Sequence, residues 1–217
     1  MTIGLESWFT NFSQFSYRAS TPESLADIPR PYVEYSIWGM FKGAEIASVL
    51  GGLVAHPLYR WYLHRQLTPE KTTPNSSKII RKACRRLQGR FLLFGLFSGP
   101  VVAAIHAQTF GDENALRNVC YSIRCDTPSL SMDRFVAMFG FVGWYWRRFQ
   151  GAVDGINIAI AYALINEKII APRTSPILKD RVQPHERYAT VEDAAHNKSQ
   201  LKKFLSELEK ERSLDTK

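Results

Sequence analysis

The chain has 217 residues, 45% of them hydrophobic, and a formal net charge of +8. Its length suits one domain of ordinary size, and its mean hydropathy of −0.20 resembles that of a soluble protein. Three cysteines with no Cys or His cluster beside them are too few for a four-ligand zinc site. There is also no G-x-S-x-G, H-E-x-x-H, P-loop or dinucleotide fingerprint.

The average conceals a segregation. Apolar residues concentrate in Ser36–Tyr59, Phe91–Phe110, Phe135–Trp146 and Ala152–Ala171, and the intervening chain is polar. Residues 1–35 precede the first stretch as an aromatic tail with Trp8, Phe9, Phe12, Phe15 and Tyr17. It has no basic n-region before an apolar core, as a secretory signal would. Its aromatics suit either a membrane interface or a partner surface. Pro29 and Pro31 set the entry to the first helix.

That helix, about Tyr35–Tyr59, carries Lys42, Glu45 and His56. Lys42 and Glu45 are three apart and can pair on one face. Ionisable groups inside an apolar span are functional candidates, although Lys42 is close enough to the helix start to snorkel to an interface. Pro57 and Tyr59–Arg60–Trp61–Tyr62 mark the exit with an aromatic and basic belt.

From Arg60 to Arg90 the chain holds nine Lys/Arg and one acid, Glu70. A nucleic-acid-binding domain could carry such a cluster, but apolar stretches flank it on both sides, which favours a basic membrane loop and no nucleic-acid partner. After a Thr/Pro/Asn/Ser-rich loop at Thr68–Ser77, Lys78, Lys82, Arg86 and Arg90 recur every four residues. Ile79, Ile80, Ala83, Cys84 and Leu87 take the other side, which predicts a basic amphipathic helix running into the second span.

The second span contains Pro100, where a bend is expected, and His106 near its far end. Gly111–Asp133 reads as a polar connection of net charge −2 holding Cys120 and Cys125. In an oxidising compartment the two could close a small disulfide; two free thiols fit the spacing equally. The third stretch has only 12 residues before Arg147, short of the ~20 that a perpendicular span needs. Arg147 and Arg148 mark a tight turn into the fourth stretch, where Asp154 is near enough in sequence to pair with one of them. Beyond Pro172, Pro176 and Pro184 make a linker, and Val191–Arg212 predicts a polar helix with a narrow stripe of Leu201, Phe204, Leu205 and Leu208.

Small residues organise three of the four apolar stretches. Gly39, Gly43, Ala47, Gly51 and Ala55 lie four apart, as do Gly95, Gly99, Ala103 and Ala107, and then Gly151, Gly155, Ala159 and Ala163. On helices such rows form grooves, which is how helices associate closely in lipid. The loop charges alternate in sign, with +8 and +2 in the first and third loops and −2 in both the N-terminal tail and the middle connection. For four spans this is a positive-inside pattern with both termini outside. The expected fold is all-α, a four-helix transmembrane bundle over residues 36–171 with a polar C-terminal tail over 172–217.

Phe139–Gly140–Phe141–Val142–Gly143, then Arg147–Arg148, then Gly151 and Gly155 resemble the third and fourth spans of a known family. It is the preprotein and amino-acid transporter family of mitochondrial inner-membrane proteins, which includes translocase channel subunits and a small accessory subunit of respiratory complex I. The resemblance covers roughly residues 36–170. It implies a matrix side bearing Lys78, Lys82, Arg86, Arg90, Arg147 and Arg148. Both termini, and the loop with Cys120 and Cys125, would then lie in the intermembrane space, which permits a disulfide between them. The family's Arg-x3-Asp between spans two and three is absent here, which points to a divergent member serving assembly more than import.

The expected function is therefore that of a non-catalytic inner-membrane protein, a structural accessory subunit of complex I, with the lipid bilayer and other membrane subunits as partners and no cofactor or metal. The alternative is a component of an import translocase or solute transporter using Lys42, Glu45 and Asp154. A membrane-bound enzyme and a soluble helical nucleic-acid binder stand further off.

Overall fold

A computed structural model describes residues 4–14, 21–67, 74–174 and 186–215. Phe15, Tyr17, Glu70, Pro176, Pro184 and most of the Thr68–Ser77 loop lie outside the described residues. Those described are helical, without a β-strand among them, so the chain is all-α. In order, the elements are α1 (Glu6–Ser13), α2 (Pro22–Leu25), α3 (Pro31–Val49), a π-helical turn at Leu50–Ala55, α4 (His56–Arg65), α5 (Ser76–Gln108), α6 (Glu113–Cys125), α7 (Thr127–Ile165), a second π-helical turn at Asn166–Ile170, α8 (Ala171–Thr174) and α9 (Val191–Asp215).

The chain divides into two compact units, and the division departs from the tail, bundle and tail order expected from sequence. One unit combines Met1–Pro31, Phe110–Thr127 and Lys179–Lys217, and the other holds Tyr32–Thr109 and Pro128–Leu178. The N-terminal segment, the middle connection and the C-terminal segment thus fold together, although each reads as a separate polar stretch.

In this first unit α2 packs against α1, α6 and α9, and α6 also meets α9. Thr21 caps α2 by accepting from Ser24 N at 3.3 Å, and Asp112 caps α6 by accepting from Asn114 N at 3.2 Å. Leu116, Cys120, Tyr121 and Cys125 of α6 are buried, and so is Arg124 among them.

The second unit is built from α3, α4, α5 and α7. Its core joins Ala44 of α3, Leu92 of α5 and Val136, Ala152, Val153, Ile156 and Ala159 of α7, with Phe41, Leu96, Met132 and Phe135 packed around them. Three of those seven core residues are alanines, so the helices come together on small side chains. The π turn at Leu50–Ala55 lies just before Pro57. A proline cannot bond to, and clashes with, the carbonyl four residues back, here Leu53. The widened turn lets the helix run on to Arg65 instead of ending at Pro57. Pro100 lies inside α5, which continues past it to Gln108.

α7 is bent, not continuous. Arg147 (φ −129°, ψ 18°) and Arg148 (φ 56°, ψ −143°) leave the helical region and divide it into two arms. The first arm begins at Thr127, well before the apolar stretch at Phe135. Up to Trp146 it reaches about 30 Å, so the third stretch is not short. Thr127–Pro128–Ser129 suits a helix start but reads as loop beside Asp126 and Asp133.

α3 with α4 (Pro31–Arg65) and α5 are long and apolar enough to cross a membrane by length and composition. In their most apolar windows only 33% and 22% of residues are buried. A soluble protein's core helix would be covered, but these present Ile46, Leu53, Leu58, Phe94, Phe97, Val101, Val102 and Ile105 outward.

Candidate functional site

The first two small-residue rows face each other. A Cβ placed on Gly39 would collide with Ala103 Cβ and lie 2.8 Å from Gly99 O. One on Gly43 would meet Gly95 O and lie 2.8 Å from Gly99 Cα, and Gly95 in turn opposes Gly43 O and Ala47 Cβ. α3 and α5 therefore touch backbone to backbone over the Gly39–Ala47 and Gly95–Ala103 rows. The π turn ends this register: Gly51 faces Phe91, Gly52 faces Val153 and Asn157, and Ala55 is only half-buried. Ala107 of the second row is buried.

The third row closes the α7 hairpin. Gly151 packs on Gly143 O, and Gly155 on Phe139 O, with Ala159 and Ala163 buried below them. Phe135 meets Tyr162 edge-on at 4.8 Å. At the bend, the Arg148 guanidinium lies 5.4 Å from the Trp144 ring centroid. Asp154 is half-buried and makes no salt bridge with Arg147 or Arg148 among the described residues.

A charged cluster is buried where α3 meets the first arm of α7. Lys42 Nζ donates to Asp133 Oδ1 at 2.6 Å and to Glu45 Oε2 at 3.1 Å. The side chains of Asp133 and Glu45 are 5% and 6% exposed, that of Lys42 22%. Lys42 is therefore held inward and does not snorkel. Asp133 was missed from sequence because it reads as the end of a polar connection. The available signal was Leu130 and Met132, which extend the apolar face N-terminal to Phe135. Nearby, Asn157 Nδ2 donates to Ser48 O at 3.2 Å. Among the described residues neither Ser48 Oγ nor Asn157 Oδ1 has a hydrogen-bond partner.

A cleft of about 470 Å³ runs along the α3–α5 pair beside the glycine contact. Trp38, Ile46 and Leu50 line one wall, and Phe94, Ser98 and Val102 the other. Lys42 reaches it from α3. At one end Tyr35 Oη and His106 Nδ1 are hydrogen-bonded at 2.8 Å. On α5 the exposed row Lys78, Lys82, Arg86, Arg90 continues at the same four-residue step through Phe94, Ser98, Val102 and His106. The opposite side of that basic segment buries Ile80, Cys84 and Gln88, while Ile79 is exposed.

The first unit holds a second buried cation. Arg124 donates from Nη1 to Leu25 O at 3.0 Å and Asp27 O at 3.1 Å, and from Nη2 to Ser7 Oγ at 3.2 Å, while its carbonyl accepts from Asn11 Nδ2. The guanidinium ties the N-terminal segment to α6. Cys120 and Cys125 do not form a disulfide; both are thiols. On one helix, five residues apart, they are separated by a rise of about 7.5 Å, beyond the usual Cα spacing of a disulfide. Cys120 Sγ instead donates to Pro31 O at 3.4 Å. Tyr121 Oη accepts from Tyr188 N at 3.3 Å, and burial pushes its phenol up to about 12. Tyr188 Oη donates to Glu23 Oε1 at 2.7 Å, a bond that raises its own phenol. Val191 N donates to Asn118 Oδ1 at 2.9 Å, which fixes the start of α9.

No group of three His, Cys, Asp or Glu that could hold a metal occurs among the described residues. Beyond residue 200, Leu201, Phe204, Leu205 and Leu208 are exposed. No curated protein matches the sequence significantly. Residues 8–166, most of the chain, match the family described as "Protein of unknown function (DUF1757)", and the chain belongs to that family.

Proposed function

We propose that this chain is a non-catalytic, four-span protein of the mitochondrial inner membrane that serves as a structural subunit of a larger assembly. The observation that carries this reading is the pairing of two glycine-faced hairpins, α3 with α5 and the two arms of α7, whose outward faces are apolar. In water such faces would need covering, whereas in lipid they are already solvated and close backbone contact supplies the cohesion. The two long apolar helices and the basic Lys78–Arg90 row support the topology, with residues 60–90 and the Arg147–Arg148 turn on the matrix side. The three segments of the first unit are those that this topology assigns to the intermembrane space. The role as an accessory subunit of respiratory complex I rests on the resemblance of the α7 hairpin. Carbonate extraction of mitochondria followed by blue-native electrophoresis tests it. The chain is expected in the membrane pellet and in a high-mass band with complex I; release by carbonate or migration as a monomer contradicts it.

A second reading, a translocase or solute-transport component, is favoured by one observation. Lys42, Glu45 and Asp133 place three ionisable groups inside the bundle, one of them on a cleft wall, where such groups mark polar paths. Glu45→Gln and Asp133→Asn in an import or flux assay decide it: transport unaltered by both removes the case.

A further inference from the structure

We propose that the cleft between α3 and α5 holds one acyl chain of an anionic phospholipid, with the lipid phosphate against Arg90 and Arg86. The inference rests on the membrane reading above and goes beyond it by naming a ligand and its site.

The dimensions select the occupant. Between Tyr35 and Leu50 the cleft follows ~22 Å of helix; the 470 Å³ open to the centre of a water-sized sphere then averages ~5 Å across, which leaves a free width of ~8 Å between the walls. A packed helix is about 10–12 Å across and cannot enter, while one extended hydrocarbon chain fits. Trp38, Ile46, Leu50, Phe94 and Val102 offer that chain an apolar lining. Ile46, Phe94 and Val102 are 62%, 72% and 63% exposed, so the slot opens sideways along its length and a chain can enter from lipid.

Charge selects the head group. Arg90 lies one helical turn before Phe94 on the row that forms the cleft wall, and Arg86 one turn before Arg90. Both are exposed, and neither makes a salt bridge among the described residues. Lys42, engaged by Glu45 and Asp133, leaves the phosphate to the arginines. A zwitterionic lipid would fill the slot equally well, but its ammonium group would offset much of what its phosphate gains from this row.

The full chain in detergent, titrated with phosphatidylglycerol and with phosphatidylcholine of the same acyl composition, is read by native mass spectrometry. One phosphatidylglycerol is expected to be retained with ~10-fold preference over phosphatidylcholine. Ser98→Phe, which fills the slot, should abolish retention. Arg86→Gln with Arg90→Gln, both at exposed positions, should abolish the preference. Equal retention of the two lipids, or retention by Ser98→Phe as in the wild type, overturns the proposal. A second readout does not depend on how Ser98→Phe folds. Phosphatidylglycerol brominated on its acyl chains should quench a fluorescence component that Trp38→Phe removes. If that component is shielded from the lipid in the assembled complex, a partner occupies the cleft and the proposal fails. Carbonate release of the chain overturns the membrane reading as well, whereas an integral chain that keeps its lipid in Ser98→Phe overturns only this inference.

Discussion

Lys42 of α3 and Asp133 of α7 are joined by a 2.6 Å ion pair, with Glu45 a second acid on the same ammonium. The cluster has two carboxylates and one cation, so its members are not equivalent. Removing Lys42 leaves two buried acids facing each other, while removing the charge of Asp133 leaves a matched pair. Lys42→Met should therefore destabilise the second unit by about 3–5 kcal/mol and Asp133→Asn by roughly 1 kcal/mol. Thermal unfolding in micelles checks the order; equal losses would contradict it.

The glycine contacts make a sharper distinction. Gly43→Ala forces a methyl group into Gly95 O, backbone that cannot step aside. Gly89→Ala places its methyl 3.1 Å from Phe149 Cβ, a milder approach that asks the neighbour to give by only a few tenths of an ångström. The first should cost about 1–3 kcal/mol or more. The second should be nearly neutral, because alanine regains about 0.5–1 kcal/mol over glycine in a helix. Unfolding midpoints of the two variants read this directly.

The α7 bend stores strain at Arg148, whose φ of 56° is unfavourable for any residue with a Cβ and costs about 1–3 kcal/mol. Its guanidinium recovers about 0.5–1 kcal/mol over Trp144. Arg148→Ala loses the ring contact and keeps the strain; Arg148→Gly loses both. The glycine variant should melt above the alanine variant, and the reverse order would remove the strain.

Much of the second unit was legible because its signals are local. Rows four residues apart identify Gly39 with Gly43 and Gly151 with Gly155 as helix faces, and the Arg147–Arg148 turn is announced by charge between two apolar stretches. What pairs with what was not legible, since nothing in the spacing matches the first row to the second. Asp133 was hidden for a related reason. A carboxylate counts against an apolar helix in sequence, and only its partner ninety-one residues away offsets the cost. The first unit was obscured in the same manner, because Arg124 reads as one charge in a loop until its hydrogen bonds to Leu25, Asp27 and Ser7 are seen.

Alkaline pH should loosen that unit first. The Tyr121 phenol stays neutral up to about 12, above its ordinary value near 10. The stabilisation from its neutral form is therefore complete below pH ~10 and is lost as pH rises toward ~12. Near-UV circular dichroism should show a transition in this window, and Tyr121→Phe should move or remove it. At neutral pH the same substitution should cost about 1 kcal/mol through the lost bond from Tyr188 N.

In the proposed topology four helices cross the inner membrane with both termini on one side. Single cysteines at Asn75, Arg147, Ser122 and Ser199, treated with a membrane-impermeant maleimide in intact mitoplasts, test it most directly, since the three native thiols are buried. Ser122→Cys and Ser199→Cys should label from outside, whereas Asn75→Cys and Arg147→Cys should label only after the membrane is opened. Labelling of all four positions in sealed mitoplasts would contradict the account.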